Sequence, residues 1–346
     1  MKKIFISLLA VAALAACTKS EVQYEPADEI SFAPVTRLNT KAAVNDTDYP
    51  DELNMYVFAN AGVADAAITT FNEPYFANAE FAHGSHATNV FGGVTPYYWP
   101  NVKELIFSGY SKSGNAASLN PKPTYELTND VWEIKMQGYA PGTGTETLGD
   151  NDLMWFPTTA QSYGKADMMG DDKEVEVEMR HACSWVTIKI KGDATTGAAN
   201  TTWKILDLTI ADLAQSGEVV LGAQAKWTPS ATTSTFDVYP SADGKALTTD
   251  YVDYTQLSYK DLIVIPQATK TMKVKYSYVS QASGAAEGKD IVIEEEKDIP
   301  LTYTGGTAWQ PGVHYTYNIT IGTLEILIEP TVKNWDTATV PDIVLQ

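Results

Sequence analysis

The chain has 346 residues, with 43 acidic against 24 basic side chains and a formal charge of -19. A field of that sign repels nucleic acid and anionic lipid head groups, so no nucleic-acid partner is expected and basic residues cannot hold the chain to a membrane. Two cysteines and four histidines leave little material for a disulfide framework or a histidine-rich metal centre.

The first stretch reads MKKIFISLLAVAALAACTKSE. Lys2 and Lys3 precede an apolar run from Ile4 to Ala16, which as a helix spans only about 20 Å and falls short of the hydrocarbon thickness. A basic start, a short apolar run and small residues at its end are the parts of a secretory signal, assigned to residues 1–16. Leu14-Ala15-Ala16-Cys17 resembles the lipobox of bacterial lipoproteins, in which the cysteine sulfur takes a diacylglycerol and the signal is cut before it. Cys17 is therefore the expected lipidation site. Cys183 is left without an intramolecular partner, and in RHACSWVTIKI it reads as a small buried hydrophobe, not a nucleophile. About 330 residues then remain, enough for two domains that each bury a core.

Further along, apolar residues recur with period two and hardly any stretch has helical spacing, which gives an all-β chain. Ile30 and Phe32 alternate with Ser31, and Pro34 ends or edges that strand. Leu53, Met55 and Val57 share a face, as do Trp132, Ile134 and Met136; Trp155 and Phe156 close the first series. A new series starts with Val175, Val177 and Met179 in VEVEM and continues with Val186, Ile188 and Ile190. ILDLTI, DLIVIP, MKVKYSY, KDIVIEE and HYTYNITI supply further strands, separated by loops such as SKSGNAASLNPKP and YAPGTGTETLGDND. Such spacing builds sandwiches or barrels. The polar stretch SYGKADMMGDDKE puts the domain division near Asp172, with an N-terminal domain over 38–172 and a C-terminal one over 173–346.

Near the end, Gly322-Thr323 suits a hairpin turn before Leu324, Ile326 and Ile328, which point one way, while Leu327 breaks the alternation. After Pro330 come Val332, Val340, Ile343, Val344 and Leu345, an apolar tail where solvated tails turn polar. Segment 324–346 is thus either a strand of its own domain or one offered to another.

Motifs for catalysis are missing: no G-x-S-x-G, no G-x-x-x-x-G-K, no G-x-G-x-x-G after a strand and no H-E-x-x-H. His83 and His86 have an H-x-x-H spacing without a third obvious ligand; His181 and His314 read as hydrogen-bonded structural residues. No enzyme activity, catalytic residue, metal or cofactor is expected. Eight tryptophans and nineteen tyrosines raise a rival function, sugar stacking, with Tyr97 to Pro100 in YYWP as its most concentrated candidate.

In order, the lipobox, EISFAPVTRLNTKA, YYWP with LIFSGY, VEVEMRHACSWVTIKI, LIVIPQ, and WQPGVHYTYNITI followed by LEILIEPTVKNWD resemble the fimbrillin family of type V pili. The resemblance implies two tandem transthyretin-like β-sandwich domains after a lipoprotein signal peptide, displayed on the outer membrane of a Gram-negative bacterium. It implies that an arginine-specific surface protease removes a lipidated segment, here 17–37, that fills a groove, and that a C-terminal strand of a neighbouring subunit then enters. The partners would be other fimbrial subunits, in a homopolymer or a mixed filament. Arginine occurs twice, at Arg37 and Arg180, against 22 lysines, and Arg180 follows an alternating strand, so Arg37 is the expected cut site. Ile30 and Phe32 are then the plug, and Leu324, Ile326, Ile328, Val340, Ile343 and Leu345 the candidate donor residues. A chain with both a cut site and a donor tail suits a shaft subunit; an uncleaved anchor or tip, or a surface glycan-binding lipoprotein, are the alternatives.

Overall fold

The structure, a computed structural model, describes residues 29–36, 49–50, 52–62, 71–84, 90–101, 103–128, 131–141, 152–159, 162–164, 174–192, 201–258, 262–281, 290–322, 326–334 and 343–344. The first series of strands is β1 (Ser31–Thr36), β2 (Met55–Gly62), β3 (Glu73–Ala82), β4 (Phe91–Gly93), β5 (Glu104–Ser111), β6 (Thr124–Thr128), β7 (Val131–Tyr139), β8 (Met154–Phe156) and β9 (Glu174–His181). The second begins with β10 (Ser184–Gly192), β11 (Thr201–Leu213), β12 (Gly217–Leu221), β13 (Ala225–Pro229), β14 (Ser234–Ala246) and β15 (Val252–Asp253). After a one-turn helix at Thr255–Ser258 come β16 (Leu262–Val264), β17 (Thr271–Gln281), β18 (Asp290–Pro300), β19 (Val313–Ile321), β20 (Ile326–Asn334) and β21 (Ile343–Val344). The protein is all-β, as the alternation predicts.

Seven strands form a sheet that closes on itself in the order β1-β4-β3-β2-β5-β8-β9, β9 returning to β1. Its interior takes one face of each strand: Met55 and Val57 from β2, Phe81 from β3, Phe107 from β5, and Val175, Val177 and Met179 from β9. Glu174, Glu176 and Glu178 of β9 are half-buried or exposed, so each alternate residue faces the wet side.

The last strands build a sandwich. One sheet runs β15-β10-β19-β20-β21, with β16 also on β10, and the other runs β14-β11-β17-β18. Val186, Ile188 and Ile190 of β10 meet Ile205, Leu208 and Ile210 of β11 in a core that also takes Tyr315, Tyr317 and Ile319 of β19. Trp309 Nε1 donates to the Tyr317 hydroxyl at 3.0 Å, and that hydroxyl donates to the Leu301 carbonyl at 2.7 Å. Two buried polar tips are thereby satisfied inside the apolar layer.

Sheet pairing crosses the expected division at Asp172. β9, which follows it, belongs to the closed sheet, and β12 pairs with β7, joining β13 and β6 into a fourth sheet, β13-β12-β7-β6. This small sheet covers the outer faces of Phe58, Tyr110 and Trp155, and Cys183, Trp185 and Ile263 join the same cluster. The two halves therefore share a core in addition to owning one each.

Candidate strand-exchange site

β1 is short, and its sequence EISFAPVT explains its placement. Ile30 and Phe32 have no exposed surface, Pro34 is buried, and Ser31 and Ala33 are half-buried, a period-two pattern with the apolar set inward. Phe32 sits among three rings: Phe81 at 4.9 Å and Phe107 at 5.1 Å, both edge-on, and Phe156 at 6.2 Å. Burying a Phe side chain contributes roughly 1.5–3 kcal/mol, and edge-to-face partners add about 0.5–1.5 kcal/mol each.

The backbone of β1 is paired on both sides. It runs parallel to β9 for six residues, Ser31↔Glu174 through Thr36↔Met179, and antiparallel to β4 for two, Ser31↔Gly92 and Phe32↔Phe91. Upstream, the Ile30 amide donates to the Tyr97 carbonyl at 2.8 Å and Glu29 bridges Tyr98. Pro34, which has no amide hydrogen, lies past the end of the β4 pairing, where a missing donor costs least. β4 and β9 meet only through β1 in the order of this sheet, so its withdrawal leaves two facing edges and an aromatic-lined slot.

Of the aromatic walls, Phe156 closes the first strand series in the sequence, whereas Phe81 and Phe107 carry no mark of their role there. Phe81, Phe107 and Phe156 lie on three strands, and the signal for them was the inward phase of each strand, as for Phe107 in LIFSGY. YYWP also belongs here. The Tyr97 ring packs on Phe76 at 4.5 Å and on Phe81 at 6.2 Å, and Trp99, 5% exposed, meets Phe107 edge-on at 5.8 Å. No described tryptophan is exposed.

Of the other expected residues, Cys17, Arg37, His86, Leu324, Val340 and Leu345 lie outside the described residues. Ile326 opens β20 opposite Ile321, and Ile328 pairs with Ile319 and packs half-buried against the sandwich core. Ile343 lies in β21, opposite Val332. Arg180 is held in β9, paired with Trp155, and its Nη1 donates to the Ala223 carbonyl at 3.1 Å.

His181 is a buried, hydrogen-bonded residue, as its setting in the sequence suggests, but its partner was not legible. Asp152, 1% exposed, accepts a hydrogen bond from the Nδ1 edge of His181, 3% exposed. Burial raises the Asp152 carboxyl above its ordinary range, against the pull of His181. Nearby, Cys183 is fully buried, and burial first, then the Asp152 charge, pushes its thiol well above the usual value. A thiol so placed is inert. Among the described residues no three His, Cys, Asp or Glu side chains are placed to hold a metal ion, and no helix is long and apolar enough to cross a membrane.

The model of a family described as fimbrillin-like matches residues 40–335. No curated protein matches the chain. Among solved structures, a fimbrial protein from Bacteroides vulgatus is similar at 13% identity and a TM-score of 0.56, over 89% of this chain and 99% of that one. A fimbrial assembly protein from Parabacteroides distasonis is similar at 12% identity and a TM-score of 0.43, over 88% of this chain and 95% of that one. The tip fimbrial protein Mfa3 from Porphyromonas gingivalis is similar at 10% identity and a TM-score of 0.40, over 89% and 99%. At 13% identity the likeness to the first of these shows the fold alone.

Proposed function

The chain belongs to the fimbrillin-like family, and from that premise we propose that it is a structural, non-catalytic subunit of a type V pilus. In this reading it is exported as a lipoprotein on Cys17, held to the outer membrane by that lipid, cut after Arg37 by an arginine-specific surface protease, and joined to further fimbrial subunits by strand exchange. Two domains, divided near Asp172, remain part of the reading.

The observation that supports it best is β1. A strand near the N-terminus with Phe32 and Pro34 buried closes a sheet, and its last residue, Thr36, directly precedes Arg37. Cutting there severs the plug from the body without touching the ladder that holds it. The other arginine is fastened in β9, where a protease would have to straighten paired backbone. Incoming backbone then satisfies the N–H and C=O groups of the two edges, and its side chains refill the slot.

The N-terminal residue of the protein taken from intact cells tests the cut: Leu38 is expected. Arg37→Ala should yield lipidated monomers that do not polymerise, seen as loss of denaturation-resistant ladders on gels. Normal filaments from that variant would make Arg37 an ordinary surface residue, and equal fatty-acid labelling of wild type and Cys17→Ala would remove the lipid anchor from the account.

A further inference from the structure

We propose that β18 is a pairing edge held single by its own charges, and that once its outward carboxylates are neutralised it joins β18 of a second copy of this chain about a two-fold axis centred on Glu296. This edge lies in the sandwich, apart from β1, and stands independently of the strand-exchange reading.

The sheet β14-β11-β17-β18 ends in two long strands that have no further neighbour in its order. An edge strand offers a row of unpaired N–H and C=O groups to any other strand, and folded chains guard such rows by shortening, bulging or charging them. β14 is broken. Its pairing with β11 shifts register between Ile205 and Asp207, Leu208 and Thr209, and Ile210 and Leu213, it contains Pro240, and Gly244 takes a positive φ of 67°. β18 lacks these guards: it pairs with β17 over eleven residues, Thr271↔Pro300 through Gln281↔Asp290, without a register shift, and its one proline is the last residue. The edge strands of the other open sheets, β6, β13, β15, β16 and β21, have five residues or fewer. Among the described strands β18 is the long, regular edge, and only charge guards it.

Its two faces differ. Toward the sandwich core lie half-buried Ile293, then Glu295, Lys297 and Ile299; Ile299 is buried in that core, the Tyr276 hydroxyl donates to Glu295 at 2.7 Å, and Lys297 stands 3.7 Å from Glu295. On the outer face Glu294 meets Lys275 at 3.0 Å, and Lys273 bridges Glu296 at 2.7 Å and Asp298 at 3.5 Å. These three carboxylates share two lysines.

Strands related by a two-fold axis are antiparallel and keep like faces together, so an axis at Glu296 opposes residues equally far before and after it. On the core side Ile293 then faces Ile299 of the second copy and Glu295 faces Lys297 of the second copy, each twice, giving two apolar and two oppositely charged pairs. Moving the axis loses this match. Centred on Glu295, two copies of that carboxylate collide; centred on Glu294, Ile293 faces Glu295. On the outer side the Glu296 register sets Glu294 against Asp298 twice and Glu296 against itself, all like-charge pairs. The core side of the edge thus fits a second copy while the outer side repels it, which makes the outer charge the gate.

Mass in solution tests this in the uncut chain with Cys17→Ala, whose other cysteine, Cys183, is buried. At low ionic strength that chain should be monomeric. Adding Glu294→Gln, Glu296→Gln and Asp298→Asn together should double the mass, reversibly on dilution. Neutralising three carboxylates of β9 instead, with Glu174→Gln, Glu176→Gln and Glu178→Gln, should leave a monomer, because β9 is paired with β1 and β8. Register is read with Glu296→Cys in place of Glu296→Gln: opposed residues stand about 4.5–5.5 Å apart, within disulfide reach, so mild oxidation should give a linked dimer on non-reducing gels. With Glu296→Cys as the only change to β18, the link should form at high ionic strength, where exposed charges are screened, and fail at low. A neutralised variant that stays monomeric, a β9 variant that also doubles in mass, open-ended species in place of dimers, or a link indifferent to salt would each overturn the proposal. Stronger linkage through Glu294→Cys or Glu295→Cys would overturn the register.

Discussion

β1 and β20 carry similar text, EISFAPVT at 29–36 and EILIEPTV at 325–332, and sit in different ladders. β1 is parallel to β9 over six residues and closes a sheet whose other members pair without it, whereas β20 is antiparallel to β19 over nine and forms part of a sandwich face. The more deeply buried of the two is the one proposed to leave: Phe32 is fully buried and Ile328 only partly. On the proposed function, burial does not mark a permanent strand: what would matter is whether another strand can satisfy the same edges and pockets afterwards.

The comparison breaks first at Phe32. Phe32→Ala should destabilise the uncut subunit by about 3–5 kcal/mol, as expected for a phenylalanine lost from a packed site, and should leave unchanged a subunit from which residues up to Arg37 have gone. Urea unfolding of both forms measures this; an equal loss in each would show that the strand stays in place after the cut.

The β20 side carries an acid sensitivity of its own. His314 on β19 stacks on Trp185 at 3.7 Å between ring centres, with the Thr187 hydroxyl 2.9 Å from Nε2. Burial first, then Lys189 and Lys333, pushes its pKa down to about 3 from the ordinary 6.5. Folded His314 is thus neutral through a window in which the unfolded chain binds a proton. Stability from this group is complete above about 6.5 and is lost as the pH falls toward about 3, at up to ~1.4 kcal/mol per pH unit. His314→Gln should flatten that limb in urea unfolding followed across the window. An unchanged slope would place the proton uptake elsewhere.

Ile328→Ala sharpens the contrast with Phe32. A half-buried isoleucine should cost about 1–2 kcal/mol, less than a fully buried one, and should cost the same before and after cutting as long as β20 keeps its pairing with β19.

Strand identity and inward phase were legible from the chain alone. Val175, Val177 and Met179, then Val186, Ile188 and Ile190, and Ile30 with Phe32 all face the cores that their alternation assigns, because a pleated backbone sends successive side chains to opposite faces whatever its neighbours are. Pairing was not legible. That β1 lies beside β9, that β12 joins β7 across the expected division, and that Phe81, Phe107 and Phe156 converge on one ring depend on contacts far apart along the chain. The buried Asp152–His181 bond belongs with them, since neither residue stands in a pattern that announces the other. The sequence by itself determined which residues turn inward, a local property of each strand; the tertiary structure decided which edges meet, since backbone N–H and C=O groups are alike in every strand and only packing of the whole chain chooses among them.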